Sequence, residues 1–379
     1  MKVLYVGPFA FPSSGANSLR VRGMVDALIA AGHEVHVVCL GDGEEDEVRD
    51  GVRITRVPEY LDGFLAKTSS GLRGLFLGDV TTQWLERSGI RPDVVILYGT
   101  HLGYLLRLAK FCRAHGARLF LDVVEWYQPS HLPGGALGPF TIANELSMRV
   151  FARRADGIFA ISRYLESHFG RSGLPVLRVP PLFNLKSGHA QLFRVVDRQL
   201  HVCYAGTPGR KELLAELFAG LEEAVKAGAR IQMHMVGMTA EAAKAQGLPV
   251  DELGAAVRFH GRVPNDEAVS IVSACDFMVL LRPDQRFSRA GFPSKVVESL
   301  SCGTPVITNL TSDLSDYLKD GENSIIVHGT TPDLVSESIQ RAARLDEESL
   351  EAMRRSALAS SSAFRPEKYA DRIGDFINR

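Results

Sequence analysis

Short runs of Val, Ile and Leu alternate with longer segments of helical periodicity along the whole chain. Uniformly apolar runs are typical of strands buried on both faces of a parallel sheet, and the segments between them are typical of covering helices. The pattern predicts strands near residues 2–6, 34–39, 52–57, 93–97, 118–123, 157–161, 201–206, 230–236, 256–260, 276–281, 304–307 and 323–327. It predicts helices near 18–31, 102–115, 143–154 and 211–227. The fold class is therefore doubly wound α/β.

The same alternation is laid down twice, and a connector separates the two copies. Residues 180–199 carry two prolines, a glycine and mixed polarity, as linkers do. The chain has 379 residues, more than one typical domain. We predict a Rossmann-like domain over 1–190, a second over 191–360, and a C-terminal helix in 361–379 that packs back toward the first.

Charge and composition exclude several classes of protein. Lys plus Arg number 43 against 44 Asp plus Glu, so no overall field attracts nucleic acid. The five cysteines are mostly embedded in apolar runs and suggest a reduced, cytoplasmic protein. Because no run approaches the roughly 20 apolar residues that span a bilayer, any membrane contact is expected to be peripheral. The segment Tyr60–Val80 is one candidate for such a contact, and a surface helix or lid is the plainer interpretation.

The segment from Arg286 to Asn309 carries the strongest chemical signal. A strand is followed by a loop with Gly291 and Pro293, and then by a helix that presents Glu298 one turn after Lys295. Loop amides and the positive end of a helix suit a diphosphate, and Ser294 suits an N-cap or a phosphate donor. The other interpretation is a tight turn followed by a solvated i,i+3 ion pair.

The stretch GFPSKVVESLSCGTPVI resembles the donor-site signature of retaining glycosyltransferases of the GT-B fold, particularly glycosyltransferase family 4. VGPFAFPSSGANSLRVRGMVDALIAAGHEVHVV, ADGIFAISRYL and VRFHGRVPNDEAVSIVSACDFMVLL are similar to other parts of that family, so the resemblance covers nearly the whole chain. It implies two Rossmann-like domains facing across a cleft. It also implies retaining transfer from a UDP-, GDP- or ADP-linked sugar to a glycan, lipid-linked or small-molecule acceptor, without a metal or other cofactor.

The resemblance also implies which residues bind the donor. Lys211 and Lys295 are expected to stabilise the departing diphosphate. Arg210 and Lys211 stand closer together than the two cations of the family pattern, and Lys211 is favoured over Arg210. A solvated helix start is the alternative for these two neighbouring cations. The full expected donor set is Gly15, Gly206, Arg210, Lys211, Gly237, Arg262, Gly291, Phe292, Pro293, Ser294, Lys295 and Glu298.

The first domain is expected to hold the acceptor. Asn17, Arg20 and Asp122 are the candidate acceptor ligands, and Glu125 and His101 are candidate catalytic residues because they follow predicted strands. Each of them has a plainer interpretation. The acids would bond loop amides, the histidine would cap or pack a helix, and the first-helix residues would cap or solvate it.

The chain departs from the family pattern at two places. Ala290 stands where the family has a glutamate eight positions before Glu298, and Asp122 and Glu125 stand near the position of a usual histidine. Arg289 or Asp284 could reach the space left at Ala290. These departures keep two alternatives open, a non-catalytic nucleotide-binding partner and a nucleotide-sugar epimerase. The sequence offers no H-x-x-x-H, cysteine cluster or Asp-rich loop for a metal.

Overall fold

The computed structural model describes the chain apart from residues 14, 43–44, 60–76, 184–198 and 210. The chain forms two compact units. The first comprises residues 1–182, 289–292 and 365–379, and the second comprises 183–288 and 293–364. The boundary predicted near residue 190, Arg210 and most of the segment Tyr60–Val80 lie outside the described residues.

The first unit contains an eight-stranded sheet in the order β3-β4-β2-β1-β5-β6-β7-β8, parallel except for the β3–β4 pair. Its strands are β1 (Lys2–Val6), β2 (Glu34–Leu40), β3 (Glu45–Arg49), β4 (Val52–Val57), β5 (Val94–Tyr98), β6 (Arg118–Val123), β7 (Gly157–Ala160) and β8 (Val176–Arg178). β3 was not predicted, because its sequence EDEVR is polar. The Asp50-Gly51 turn, with both residues at positive φ, joins it to β4 as a hairpin.

Helices cover both faces of this sheet, as the doubly wound class requires. They are α1 (Ala16–Ala30), α2 (Asp79–Ser88), α3 (Leu102–His115), α4 (Pro139–Arg149) and α5 (Arg163–Gly170). α4 begins four residues before the predicted start, because Pro139 occupies its first position, where a proline loses no hydrogen bond. Ser162 caps α5, and its hydroxyl donates to the carbonyl of Ala290 at 2.6 Å within this unit.

The second unit contains a six-stranded, wholly parallel sheet in the order β11-β10-β9-β12-β13-β14. Its strands are β9 (Leu200–Ala205), β10 (Ile231–Val236), β11 (Val257–Gly261), β12 (Phe277–Leu280), β13 (Val306–Thr308) and β14 (Ser324–Ile326). The helices are α6 (Leu214–Lys226), α7 (Ala240–Ala245), α8 (Val250–Leu253), α9 (Asn265–Ala274), α10 (Arg286–Ala290), α11 (Ser294–Ser301), α12 (Pro332–Ala343) and α13 (Glu347–Ser361). Residues 289 and 290 of α10 belong to the first unit. The predicted α/β class is confirmed in both units.

The last helix, α14 (Glu367–Asn378), completes the core of the first unit. It packs against α1, and Ile373 and Ile377 are fully buried. The ring of Phe376 makes edge contacts with Phe120 and Phe159, with centroids 5.5 and 5.2 Å apart. The apolar stripe seen in the sequence therefore covers the first sheet although the helix ends the chain.

Three histidines form a hydrogen-bonded row that crosses the neighbouring strands β9, β10 and β11 of the second sheet. His201 Nδ1 lies 3.1 Å from His234 Nε2, and His234 Nδ1 lies 3.1 Å from His260 Nε2. Burial, together with positive charge on the flanking histidines and on Arg258, lowers the pKa of His234 to about 4. The central imidazole is therefore neutral at neutral pH in the folded protein.

Acidification should consequently weaken the second unit. An unfolded histidine takes up a proton near its ordinary pKa of about 6.5, whereas folded His234 stays neutral until about 4. The contribution of neutral His234 to the free energy of unfolding should be fully present above pH ~6.5. It should fall by about 1–2 kcal/mol toward pH ~4, a figure reduced because the ring is partly exposed. Urea unfolding of wild type and His234→Gln at several pH values checks this. An identical pH slope in both proteins would contradict it, and His328→Gln, at an exposed position, is the matched control.

Candidate active site

Glycines line the carboxyl edge of the second sheet. Gly206 follows β9 and Gly237 follows β10, with φ angles of +130° and +98°. The Gly237 amide donates to the carbonyl of Gly261 at 2.6 Å, and a Cβ on Gly237 would lie 2.4 Å from the Gly206 carbonyl oxygen. Only residues without a side chain allow these strand ends to approach so closely. The backbone at these two strand ends is therefore tightly packed and is not covered by side chains of its own.

The side chain of Lys295 covers Gly206. A Cβ on Gly206 would lie 2.5 Å from Lys295 Cε. The ammonium donates to the hydroxyl of Tyr204 at 2.8 Å and to Glu212 Oε1 at 3.0 Å. It thus stands beside β9 and β12, the two strands at which the strand order reverses. Ligands of open parallel sheets bind at such switch points.

Glu212 connects this cation to the loop after β9. Its other carboxylate oxygen accepts from the Gly209 amide at 3.1 Å, and its side chain is only 13% exposed. Sequence reasoning missed both Glu212 and Tyr204. The contacts join positions 83 and 91 residues apart, so no local pattern announced them. The one available signal was the position of Glu212 directly after Lys211 in a glycine-bearing loop.

Glu298 lies one turn beyond Lys295 on α11. Burial raises its pKa to about 7, while Lys295 and a hydrogen bond with the Ser294 hydroxyl act in the opposite direction. Both residues border a small cavity of about 40 Å³ whose other walls include Val272 and Met278. The alternative interpretation from the sequence was a solvated ion pair of Lys295 with Glu298. Lys295 instead pairs with Glu212.

The loop before α11 is buried, and the expected diphosphate contacts of its amides stay a prediction. Gly291, Phe292 and Pro293 are buried, and residues 289–292 belong to the first unit. Pro293 is the N-cap residue of α11, without a side-chain cap bond, and Ser294 is the first helical residue. The expectation of an N-cap role for Ser294 is therefore wrong. Its hydroxyl bonds Glu298 instead.

Two other expected donor ligands, Lys211 and Arg262, are placed here only by their position and their exposure. Lys211 is half-buried and precedes α6, which begins at Leu214 rather than at Lys211. Arg262 follows β11 at the same edge as Gly237 and is exposed. The described residues of the second unit thus bring Gly206, Gly237, Arg262, Lys295 and Glu298 to one edge of the sheet.

The first unit gathers its candidates at the carboxyl edge of its own sheet. Gly15 starts α1 at φ −74°, where a Cβ would meet only Ser13 Oγ at 3.6 Å, so this conformation does not require glycine. The Asn17 amide oxygen accepts from the Tyr98 hydroxyl at 2.9 Å. His101 lacks a side-chain cap bond, and burial lowers its pKa to about 4, which keeps the ring neutral. Glu125 follows β6.

Arg20 and Asp122 form a buried ion pair. Arg20 donates to both carboxylate oxygens, at 3.0 and 2.7 Å, and to the carbonyls of Val179 and Pro180. The Tyr5 hydroxyl also donates to Asp122, whose side chain is fully buried. The expectation that this pair contacts the acceptor is corrected here, because their polar atoms bond one another and the backbone.

The comparisons with known proteins agree over both units. The Glycosyl transferase 4-like domain model matches residues 15–182, and the Glycosyl transferases group 1 model matches residues 210–359. The chain is a glycosyltransferase of the family 4 type. This glycosyltransferase is similar to the GDP-mannose-dependent alpha-(1-6)-phosphatidylinositol dimannoside mannosyltransferase of Mycobacterium tuberculosis, with 26% identity over 84% of this chain and 82% of the relative.

Solved structures confirm that the glycosyltransferase has the GT-B fold. Sucrose-phosphate synthase from Thermosynechococcus elongatus has a TM-score of 0.76 at 16% identity, covering 100% of this chain and 98% of its own. HepE of Anabaena in complex with UDP-glucose has a TM-score of 0.70 at 14% identity, covering 100% and 99%. At these identities the likeness establishes the fold and nothing finer. Family membership favours transfer over the epimerase and the non-catalytic partner.

In the described part of the chain, no three or more His, Cys, Asp or Glu side chains are grouped to hold a metal ion. None of the described helices combines the length and the hydrophobicity needed to cross a bilayer.

Proposed function

We propose that this glycosyltransferase transfers a sugar, with retention of configuration, from a nucleotide-diphosphate sugar to a glycan or lipid-linked acceptor. GDP-mannose is the donor to test first, because the mycobacterial relative is named for its dependence on it. The observation that carries the proposal is the Lys295 ammonium, held over Gly206 at the switch point, with Glu298 one turn further along. The proposed transfer uses no metal ion and no resident cofactor.

The donor's diphosphate would bind at the carboxyl edge of the second sheet, beside Gly206 and Gly237. Lys295 is already oriented by Tyr204 and Glu212, so little side-chain entropy is lost when an anion arrives. A diphosphate carries more negative charge than Glu212 and would share its cation. Glu298, when ionised, would accept hydrogen bonds from vicinal sugar hydroxyls, and its pKa near 7 allows that state at neutral pH.

Retention needs no enzyme nucleophile in this scheme. The bond between the anomeric carbon and the diphosphate oxygen breaks, a bond from that carbon to the acceptor oxygen forms, and the acceptor's proton passes to the departing diphosphate. Lys295, with Lys211 as a second candidate, would stabilise the negative charge that develops on the leaving group. Glu125 and neutral His101 are proposed to orient hydroxyl groups. Asn17 stays a proposed acceptor ligand.

Nucleotide binding tests the site directly. In thermal unfolding with GDP, UDP, ADP and their sugars, the nucleotides of one base should raise Tm. At a ligand concentration of 100 times Kd, the free energy of unfolding should increase by about 2.7 kcal/mol. Gly206→Ala should weaken that stabilisation because its Cβ would overlap Lys295, 2.5 Å away. Gly209→Ala is the matched control in the same loop, since its nearest neighbour is 3.7 Å away. No shift with any nucleotide, or equal shifts in both variants, would refute the proposed site.

The stereochemistry of the product tests the chemistry. With an α-linked donor, the one-bond carbon–proton coupling at the anomeric centre of the product should report an α-linkage. A β-linked product would exclude retention but leave nucleotide binding intact, so the two parts of the proposal fail separately.

A further inference from the structure

Ser162 is a buried residue that the proposed transfer mechanism does not use. It lies between β7 and α5 in the first unit and is fully buried. As the N-cap of α5, its hydroxyl oxygen accepts from the Leu165 amide at 3.4 Å, and the same hydroxyl donates to the Ala290 carbonyl at 2.6 Å. A serine hydroxyl has one proton to donate and lone pairs with which to accept. Both capacities are used here, so the two bonds fix the hydroxyl in one orientation.

The Ala290 carbonyl is a group that α10 itself does not satisfy. Ala290 is the last residue of this five-residue helix and is fully buried. The last carbonyl groups of a helix have no hydrogen-bond partner within the helix. Ser162, 128 residues away along the chain, supplies a donor. A buried carbonyl that loses its donor costs free energy, so removal of the hydroxyl should move the backbone at Ala290 toward water or another donor.

The segment held by this bond leads directly into the helix of the candidate donor site. Residues 289–292 belong to the first unit, although the chain before and after them belongs to the second. Three residues separate Ala290 from α11, which carries Lys295. The Lys295 ammonium is itself held by Tyr204 and Glu212, both in the second unit. The entry to α11 is therefore held in one unit, and the functional side chain of α11 is held in the other.

The proposed reaction draws on groups from both units. Asn17, His101 and Glu125, which are proposed to contact hydroxyl groups, belong to the first unit, whereas Lys295 and Glu298 belong to the second. Rates of transfer depend steeply on such positions, because a misplacement of about 1 Å can cost about 100-fold. A bond that fixes where α11 begins can therefore control the rate without contacting a substrate.

We propose that Ser162 is a positioning residue of the transferase. Its hydroxyl holds the Ala290 backbone in the first unit and so sets the start of α11, which places Lys295 and Glu298 for transfer to an acceptor. The inference rests on the proposed roles of Lys295 and Glu298. Lys295 would keep its contacts within the second unit when the Ser162 hydroxyl is lost. The loss should therefore lower kcat far more than it weakens nucleotide binding.

Ser162→Ala tests this division between rate and binding. With GDP-mannose as the donor and release of GDP as the signal, kcat should fall about 10- to 100-fold. The Kd for GDP should stay within about twofold of the wild-type value, and Tm is recorded alongside. Ser162→Thr keeps a hydroxyl at the N-cap and should retain kcat within about threefold of wild type.

Hydrogen exchange of the ligand-free protein measures the hold on the segment without any donor. In Ser162→Ala, the amides of residues 289–298 should exchange at least about tenfold faster than in wild type. Thr141→Val is the matched control, because the Thr141 hydroxyl also donates to a carbonyl at 2.6 Å, that of Gly135. Thr141 is 4% exposed in the same unit and is remote in sequence from α11. This variant should change neither the exchange of residues 289–298 nor kcat.

Three results would overturn the inference. The first is unchanged exchange of residues 289–298 in Ser162→Ala, and the second is a kcat within about twofold of wild type in that variant. The third is an equal loss of kcat in Thr141→Val, because the effect would then be general destabilisation. Failure of the proposed donor site has a different signature, since no nucleotide would then raise the Tm of wild type, whatever the exchange measurement shows.

Discussion

Replacing Lys295 with Met should lower kcat by about 100- to 1,000-fold, the usual cost of removing one preorganised charge from a reacting centre. Methionine keeps a similar stem over Gly206 but removes the ammonium that contacts Tyr204 and Glu212. The charge on a diphosphate grows as the sugar leaves, so the lost interaction is strongest in the transition state. Initial-rate measurements with a donor in excess, with Tm recorded alongside, provide the test.

Glu212→Gln is the control for this prediction. The amide keeps one accepting oxygen, which can serve Lys295 or the Gly209 amide but not both, so one of the two hydrogen bonds should survive while the competing negative charge is removed. We expect donor affinity unchanged or higher and kcat reduced by less than about tenfold. If Lys295→Met retained kcat within about threefold in a folded protein, charge stabilisation would have to come from other groups, with Lys211 the first to examine.

The sequence predicted the sheets well because parallel strands buried on both faces have an uninterrupted apolar pattern. Every predicted strand in both halves has a counterpart within two residues. The two observed strands that were not predicted show the limit of the pattern. β3 is a polar edge strand fixed by the Asp50-Gly51 turn, and β8 has only three residues. Such elements depend on their partners more than on their own composition.

The site could be predicted only as far as its residues follow strands. Gly206, Gly237 and Lys295 were expected at one edge, and the structure places them together. Tyr204 and Glu212 were missed because their roles arise from long-range contacts with Lys295. Arg20 and Asp122 were assigned to the acceptor for the same reason. A charged residue beside a strand end suggests a ligand until its buried partner is known.

The largest effect on stability should come from Asp122→Asn. It leaves Arg20, 4% exposed, facing a neutral amide, and breaking a buried ion pair on one side costs about 3–5 kcal/mol. Urea unfolding measures this cost. Asp46→Asn is the matched control, because Asp46 pairs with Arg53 at 2.6 Å with both side chains about half exposed, and should cost less than about 1 kcal/mol.

A double-mutant cycle separates the ion pair from the other bonds of Arg20. Arg20→Met also removes the bonds to the carbonyls of Val179 and Pro180, which lie where the chain leaves the sheet after β8. It should therefore cost at least as much as Asp122→Asn. The double variant leaves no unpaired charge, so its cost should be smaller than the sum of the two single costs by more than about 2 kcal/mol. Simple additivity would mean that the two side chains act independently, and the pair would again become available as a candidate for ligand binding.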